Sequence, residues 1–318
     1  MEYGKNEHTR IVAKKRLAFW LFLALLSVTL PHVAMAKNTY FSRPYQGCPA
    51  SNCPPPPGCA TLFDCPPPYE CNWAENLYYD LKRDFTVYLR PQNLLLLADA
   101  FVVGGILANT RIDRSIRNTW QDSVRNSNTN NFFEVPQAIG GFSYWYHVVY
   151  PAAVALGYYT RNSVAGNVLY FWGYRCLRTA LLGGIQQAFF TQALGSGRPL
   201  NHVDSKWQPF KYKTAVSGHS FYGSIPFITA AMMSDIPVIR YSLFFISTLP
   251  GISRINSDSH YTSQVFLGWS IAFLSARAIH QSDLENESQW TINAYPCHTS
   301  DNNGQKDMGM AVSAHYRF

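Results

Sequence analysis

Three short strings hold the residue types and spacing that could do chemistry on a phosphoryl group: Arg198-Pro199, Ser217-Gly218-His219, and Ser253-Arg254 followed by His260 and Gln264. A phosphoryl group in transfer spreads negative charge over its equatorial oxygens, so it calls for guanidinium forks and backbone N–H donors. Arg198 and Arg254 can supply the forks, and the Ser217-Gly218 turn the backbone donors. The His260 imidazole can attack phosphorus and form a phosphohistidine that water later hydrolyses, without a metal ion. His219 can then protonate the leaving alkoxide. His260 and Gln264 stand at i and i+4, on one face of a helix, so the Gln264 side-chain oxygen can accept the imidazole N–H and fix its tautomer.

In this order, over Arg198 to Gln264, the strings resemble the signature of the type 2 phosphatidic acid phosphatase superfamily, Lys-x6-Arg-Pro, Pro-Ser-Gly-His and Ser-Arg-x5-His-x3-Asp. The resemblance implies an all-α bundle and a metal-independent, acid-type phosphatase without a cofactor. It assigns His260, His219 and Gln264 to catalysis, and Arg198, Ser217, Gly218 and Arg254 to phosphate binding. Its substrate would be a phosphomonoester or a lipid-linked phosphate. The chain departs from the signature at Thr191, where the lysine stands, at Val216, where the second proline stands, and at Gln264, where the carboxylate stands. The glucose-6-phosphatase branch looks similar at the last of these. The absent lysine removes one charge-assisted bond to phosphate unless Lys206, Lys211 or Lys213 reaches in from between the first two strings, and Gln264→Asp is expected to raise turnover or leave it within about tenfold, since a carboxylate stabilises an imidazolium-like ring.

Two other functions use the same residues. A degenerate site would leave a phosphate-binding or envelope-scaffold protein. A vanadium-dependent haloperoxidase, which resembles the same superfamily, would hold vanadate with the same arginines and histidine, but the short motif spacing and modest length argue against it. His147 and His202 read as ordinary surface or core histidines. No metal-ligand spacing, phosphate-binding glycine loop, dinucleotide fingerprint or G-x-S-x-G elbow occurs.

Lys14-Lys15-Arg16, the apolar run Leu17 to Leu30 and Ala34-Met35-Ala36 read as an export signal over residues 1–36, the run being short for a bilayer span. Its removal takes five basic and two acidic residues from a chain of net charge +7, leaving 21 Lys+Arg against 17 Asp+Glu, or +4. That mild excess suits anionic substrates or lipid surfaces and is far from a nucleic-acid stripe. Residues 37–72 form a proline-rich arm with Cys48, Cys53, Cys59, Cys65 and Cys71, as expected of an exported protein in the periplasm or cell envelope. Cys297 is a candidate partner for the odd cysteine, and Cys176 reads as a buried thiol.

Residues 73–284 are expected to form one bundle of about six core helices, from the apolar stretches Leu94 to Leu107, Tyr144 to Tyr159, Val168 to Leu194, Phe221 to Met233, Val238 to Leu249 and Val265 to Leu274. Pro91, Pro151, Pro226, Pro237 and Pro250 are expected to punctuate it. Gly104-Gly105 reads as a helix-packing pair, Arg125 to Asn131 as an exposed loop, and Asp113 with Arg117 as a solvated i, i+4 pair. Asp99, Arg175, Arg178 and Arg240 interrupt the apolar runs, favouring a non-spanning bundle, although the aromatic clusters would suit peripheral contact with lipid. The tail, residues 285–318, alternates apolar and polar from Met308 to Phe318, with Trp290, Ile292 and Ala294 as a partner strand, and reads as a β-hairpin. Its terminal Phe leaves outer-membrane association open, and nothing specifies an oligomeric state.

Overall fold

A computed structural model describes residues 73–141, 145–161, 163–287, 290–300 and 306–316. The export signal and the cysteine-rich arm lie outside the described residues. The chain divides into two compact units, Met1–Ile279 and His280–Phe318.

Among the described residues the first unit is all-helical. Its helices are α1 (Trp73–Tyr88), α2 (Pro91–Asn109), α3 (Ile112–Thr119), α4 (Ser127–Gly141), α5 (Tyr150–Tyr159), α6 (Val164–Leu194), α7 (Gly218–Met233), α8 (Pro237–Asn256) and α9 (Thr262–Glu287), whose last residues belong to the second unit. Single π-helical turns precede α4 and α5, at Trp120–Val124 and Trp145–Val149, and a 3-10 turn, Pro199–Asn201, follows α6. The six apolar runs of the sequence correspond to α2 and α5 to α9. Of the additional helices, α1 and α3 are more polar, so their signal was weaker.

Pro91, Pro151 and Pro237 sit in first turns, where a missing N–H costs nothing. Pro226 and Pro250 do not end helices as expected but lie inside α7 and α8. The Trp172 indole donates to the Pro226 carbonyl at 3.0 Å, and Pro250 faces Gly223 across the α7–α8 contact. A Cβ on Gly223 would lie 2.6 Å from the Pro250 Cβ and 2.9 Å from the Gly140 Cα, so this glycine sets how closely α4, α7 and α8 approach.

The core is built from α6, α7 and α9, with Trp172, Phe221, Ile225, Ile228, Leu267 and Ile271 almost wholly buried. Gly104 lets α2 lie against Leu267. Arg178 is not a charge on a helix surface, because it reaches the buried Asp84 of α1 with bonds of 2.8 and 2.5 Å, while Tyr174 donates to Asp80 at 2.7 Å. Removing one partner of such a buried pair costs about 3–5 kcal/mol. Among the described residues α2 is the one helix long and apolar enough to cross a membrane, and it leaves Leu95, Val102 and Ile106 exposed.

In the second unit β1 (Trp290–Ser300) and β2 (Lys306–Tyr316) pair antiparallel, from Trp290 opposite Tyr316 to Ser300 opposite Lys306. The alternation of the sequence gives this two-stranded hairpin, with β2 starting two residues before Met308.

Candidate functional site

Backbone turns at three places bring the motif strings together. Helix α6 ends at Gly195 in the left-handed region (φ 55°), where a Cβ would lie 2.0 Å from the Gln208 carbonyl oxygen, and the chain then runs extended to Arg198. Ser217 is the N-cap of α7 and its hydroxyl accepts the Ser220 N–H at 3.3 Å, which puts Gly218 and His219 in the first turn. Beyond α8 the Ser259 and His260 N–H groups both donate to the Arg254 carbonyl, at 2.9 and 3.2 Å. The five-residue spacer thus folds back and sets His260 beside Arg254.

Gln264, in the first turn of α9, is the junction of all three strings. Its backbone carbonyl accepts the Ser217 N–H at 2.9 Å, and Gly268 permits that approach, since a Cβ there would lie 2.5 Å from the Ser217 oxygen. Its side-chain Nε2 donates to Ser196 Oγ at 2.7 Å and to the Gly197 carbonyl at 2.6 Å. Its Oε1 lies 2.7 Å from His260 Nδ1 and accepts the Tyr261 N–H at 3.2 Å. These backbone partners leave one orientation for the amide, because a carbonyl only accepts and an N–H only donates. His260 Nδ1 must then carry the proton, and Nε2 keeps its lone pair.

Around this junction the charge is almost entirely positive. Burial, and then the charges of Arg254 and Arg198, lower the His219 pKa to about 4. His260 is lowered to about 3, chiefly by burial, which outweighs the upward pull of Gln264, and further by Arg198, Arg254 and His219. Burial and the neighbouring Arg198 also lower Arg254. Both histidines are therefore neutral near pH 7. The Nε atoms of Arg198 and Arg254 are buried without a hydrogen-bond partner, and among the described residues neither arginine forms an ion pair. Such groups are costly unless something anionic meets them.

The structure thus brings Arg198, Ser217, Gly218, His219, Arg254, His260 and Gln264 into one region. Ser217 is fully buried with its hydroxyl in the cap. Thr191 ties α6 to the segment before α7: its hydroxyl lies 2.6 Å from the Gln187 carbonyl and 3.3 Å from the Val216 carbonyl, and accepts from Gln187 Nε2 at 3.0 Å. The three lysines that would have to replace the absent one are exposed, and Lys211 is engaged by Gln208 and the Tyr212 ring. His147 and His202 are exposed, as surface histidines are.

Two sequence expectations are corrected. Asp113 is completely buried and takes both the N–H (3.0 Å) and the hydroxyl (2.5 Å) of Ser263, while Arg117 reaches Asp258, so the two are no solvated pair. Arg125 to Asn131 is no loop throughout: α4 starts at Ser127, and Asn126 Oδ1 accepts from the Asn128 and Thr129 N–H groups. Sequence reasoning also missed Gly140 and Gly141, the end of α4. A Cβ on Gly141 would lie 3.2 Å from His219 Nε2, so the pair lets α4 come up against that ring.

No family model and no curated protein matches this chain. Among solved structures, the first transmembrane PAP2 type phosphatidylglycerolphosphate phosphatase from Bacillus subtilis is similar to it at 17% identity and a TM-score of 0.44, covering 60% of this chain and 96% of that one.

Proposed function

We propose that the protein is a phosphatase of the type 2 phosphatidic acid phosphatase kind, working through a phosphohistidine on His260. The observation that carries this reading is the pair of buried, unpartnered guanidinium Nε groups of Arg198 and Arg254 beside His219 and a neutral His260 whose Nε2 lone pair is free. Arginine forks bind a tetrahedral phosphate through its oxygens and stabilise the charge that develops on them. The His260 Nε2 lone pair attacks phosphorus, the bond from phosphorus to the ester oxygen breaks, and His219, protonated in acid and more readily once a bound phosphate offsets the two arginine charges, gives that oxygen a proton. Water then attacks the phosphohistidine, the P–N bond breaks, His219 takes the water's proton and inorganic phosphate leaves. Gln264 holds Nδ1–H throughout, so the ring stays aimed while it gains charge.

A lipid-linked ester is the substrate we favour, acted on in the cell envelope. What supports it is apolar surface: the lipid-compatible helix α2, and Val238, Tyr241 and Phe245 exposed along α8. The test is phosphate release from phosphatidate, a prenyl diphosphate and a chromogenic monoester with a chelator present. Turnover that persists after His260→Ala, or that vanishes with the chelator, overturns the mechanism. Turnover of only the soluble ester overturns the lipid reading.

A further inference from the structure

Helix α3 carries no motif residue, yet its charged side chains reach the segment after Arg198, the spacer between Arg254 and His260, and the residue before Gln264. Asp113 takes the N–H and hydroxyl of Ser263, one residue before Gln264. Arg114 pairs with Asp204, six residues after Arg198. Arg117 grips Asp258 with two bonds, of 2.7 and 2.5 Å, inside the spacer between Arg254 and His260. The π-turn after α3 adds the Gln121 amide on the Ile255 carbonyl at 2.8 Å and the Trp120 indole on Asn256 at 3.2 Å.

Asp258 is the strained member of this set. Its φ of 55° is left-handed, a conformation that glycine adopts freely and other residues adopt at a cost. The turn it makes is the one that returns His260 to the Arg254 carbonyl. An isolated, partly exposed ion pair adds little to global stability. A bidentate pair does fix direction, and a residue in an unfavoured backbone region persists only where its surroundings hold it.

We propose that α3 is a positioning clamp for the site, with Arg117 holding the left-handed turn at Asp258 that sets His260 beside Arg254. None of its side chains is placed on the reacting atoms. The kinetic side of the proposal rests on the phosphatase reading above, whereas the structural side does not. The experiment compares the full-length wild type with Arg117→Ala, Asp258→Ala and Asp258→Gly, by hydrogen exchange at the Ser259 and His260 amides and by kcat and KM on a phosphomonoester. The Arg117→Ala and Asp258→Ala proteins are expected to exchange these two amides at least about tenfold faster and to lose about tenfold or more in kcat, with KM within about threefold. Asp258→Gly, which keeps the turn without the ion pair, is expected to stay within about threefold of wild type in both. Equal behaviour of the alanine and glycine variants at 258, or unchanged exchange in Arg117→Ala, overturns the clamp. If the wild type hydrolyses no ester, the phosphatase reading fails by itself and the exchange data still decide the clamp.

Discussion

The two sides of the site differ in how completely their polar groups are used. On the Gln264 side every donor and acceptor of the amide has a partner, His260 included. On the arginine side, Arg198 and Arg254 each bury an Nε with none. A satisfied buried network is rigid and intolerant of change, while a buried donor left without a partner is kept only at a cost in stability. The first side is thus suited to aim a nucleophile, and the second to receive an anion.

The largest effect should come from the unsatisfied side. Arg198→Ala or Arg254→Ala is expected to lower kcat/KM by at least about a hundredfold, roughly 3 kcal/mol, the scale of losing a donor aimed at developing charge. Arg→Lys should recover little of it, because an ammonium cannot reproduce the planar fork. Phosphate-release assays on the four variants check this. If both alanine variants keep near wild-type turnover, the division between the two sides collapses and a non-catalytic phosphate-binding reading takes its place.

Changes on the satisfied side should be smaller but sharper in chemistry. The sequence suggested that a carboxylate at 264 would help the nucleophile, but the geometry reverses that expectation. Gln264 Nε2 donates to the Gly197 carbonyl at 2.6 Å, and a carboxylate in its place would set oxygen against oxygen. Gln264→Glu, closest in shape, is expected to cost about tenfold to thirtyfold in kcat and about 1–3 kcal/mol of stability, the penalty of leaving buried polar groups unpaired. Gln264→Asp, one methylene shorter, should do no better. Turnover that rises in either variant would mean that the amide is a poor substitute for a carboxylate and not a fitted part of the network.

Much of the candidate site was legible because its members lie in short strings: Arg198, His219, Arg254 and His260 could be picked out by type and spacing, and the fold brings them together. The apolar runs marked α2 and α5 to α9 for the same local reason. What escaped was everything set by partners distant in sequence. Asp113 and Arg117 have the i, i+4 spacing of a surface pair, and only the fold reveals Ser263 and Asp258 facing them, about 150 and 141 positions away. Pro226 and Pro250 look like helix ends locally, yet tertiary packing carries both helices past them. Gln264 reads as a lost charge until Ser196 and Gly197 come into contact with its amide.

Acidity offers a kinetic test of the same contrast. If His260 must be neutral, with a pKa of about 3, and His219 protonated, with a pKa of about 4, the free enzyme is competent only in a narrow acid window. The pH profile of kcat/KM should therefore peak in acid. That of kcat should peak higher, because a bound phosphate offsets the arginine charges that depress both histidines. Coincident profiles centred above pH 7 would remove His219 from the role of proton donor.

The smallest effect is on stability, and its sign follows from the same two rings. An unfolded histidine titrates near pH 6.5, while folded His219 and His260 stay neutral down to about 4 and 3. Between those values the unfolded chain binds more protons than the folded one, so stability is fully present above about pH 6.5 and falls as the pH drops toward 3. Inorganic phosphate binding between Arg198 and Arg254 would raise both folded pKa values and flatten that fall, in addition to stabilising the protein by mass action. Thermal unfolding from pH 7 to pH 4, with and without phosphate, should show Tm falling toward acid and the phosphate-dependent rise in Tm growing as it falls. The dependence should be lost in Arg254→Ala, whose missing guanidinium both weakens anion binding and relieves the histidines. A phosphate effect equal at every pH, or equal in that variant, would mean that the anion does not sit beside the two rings.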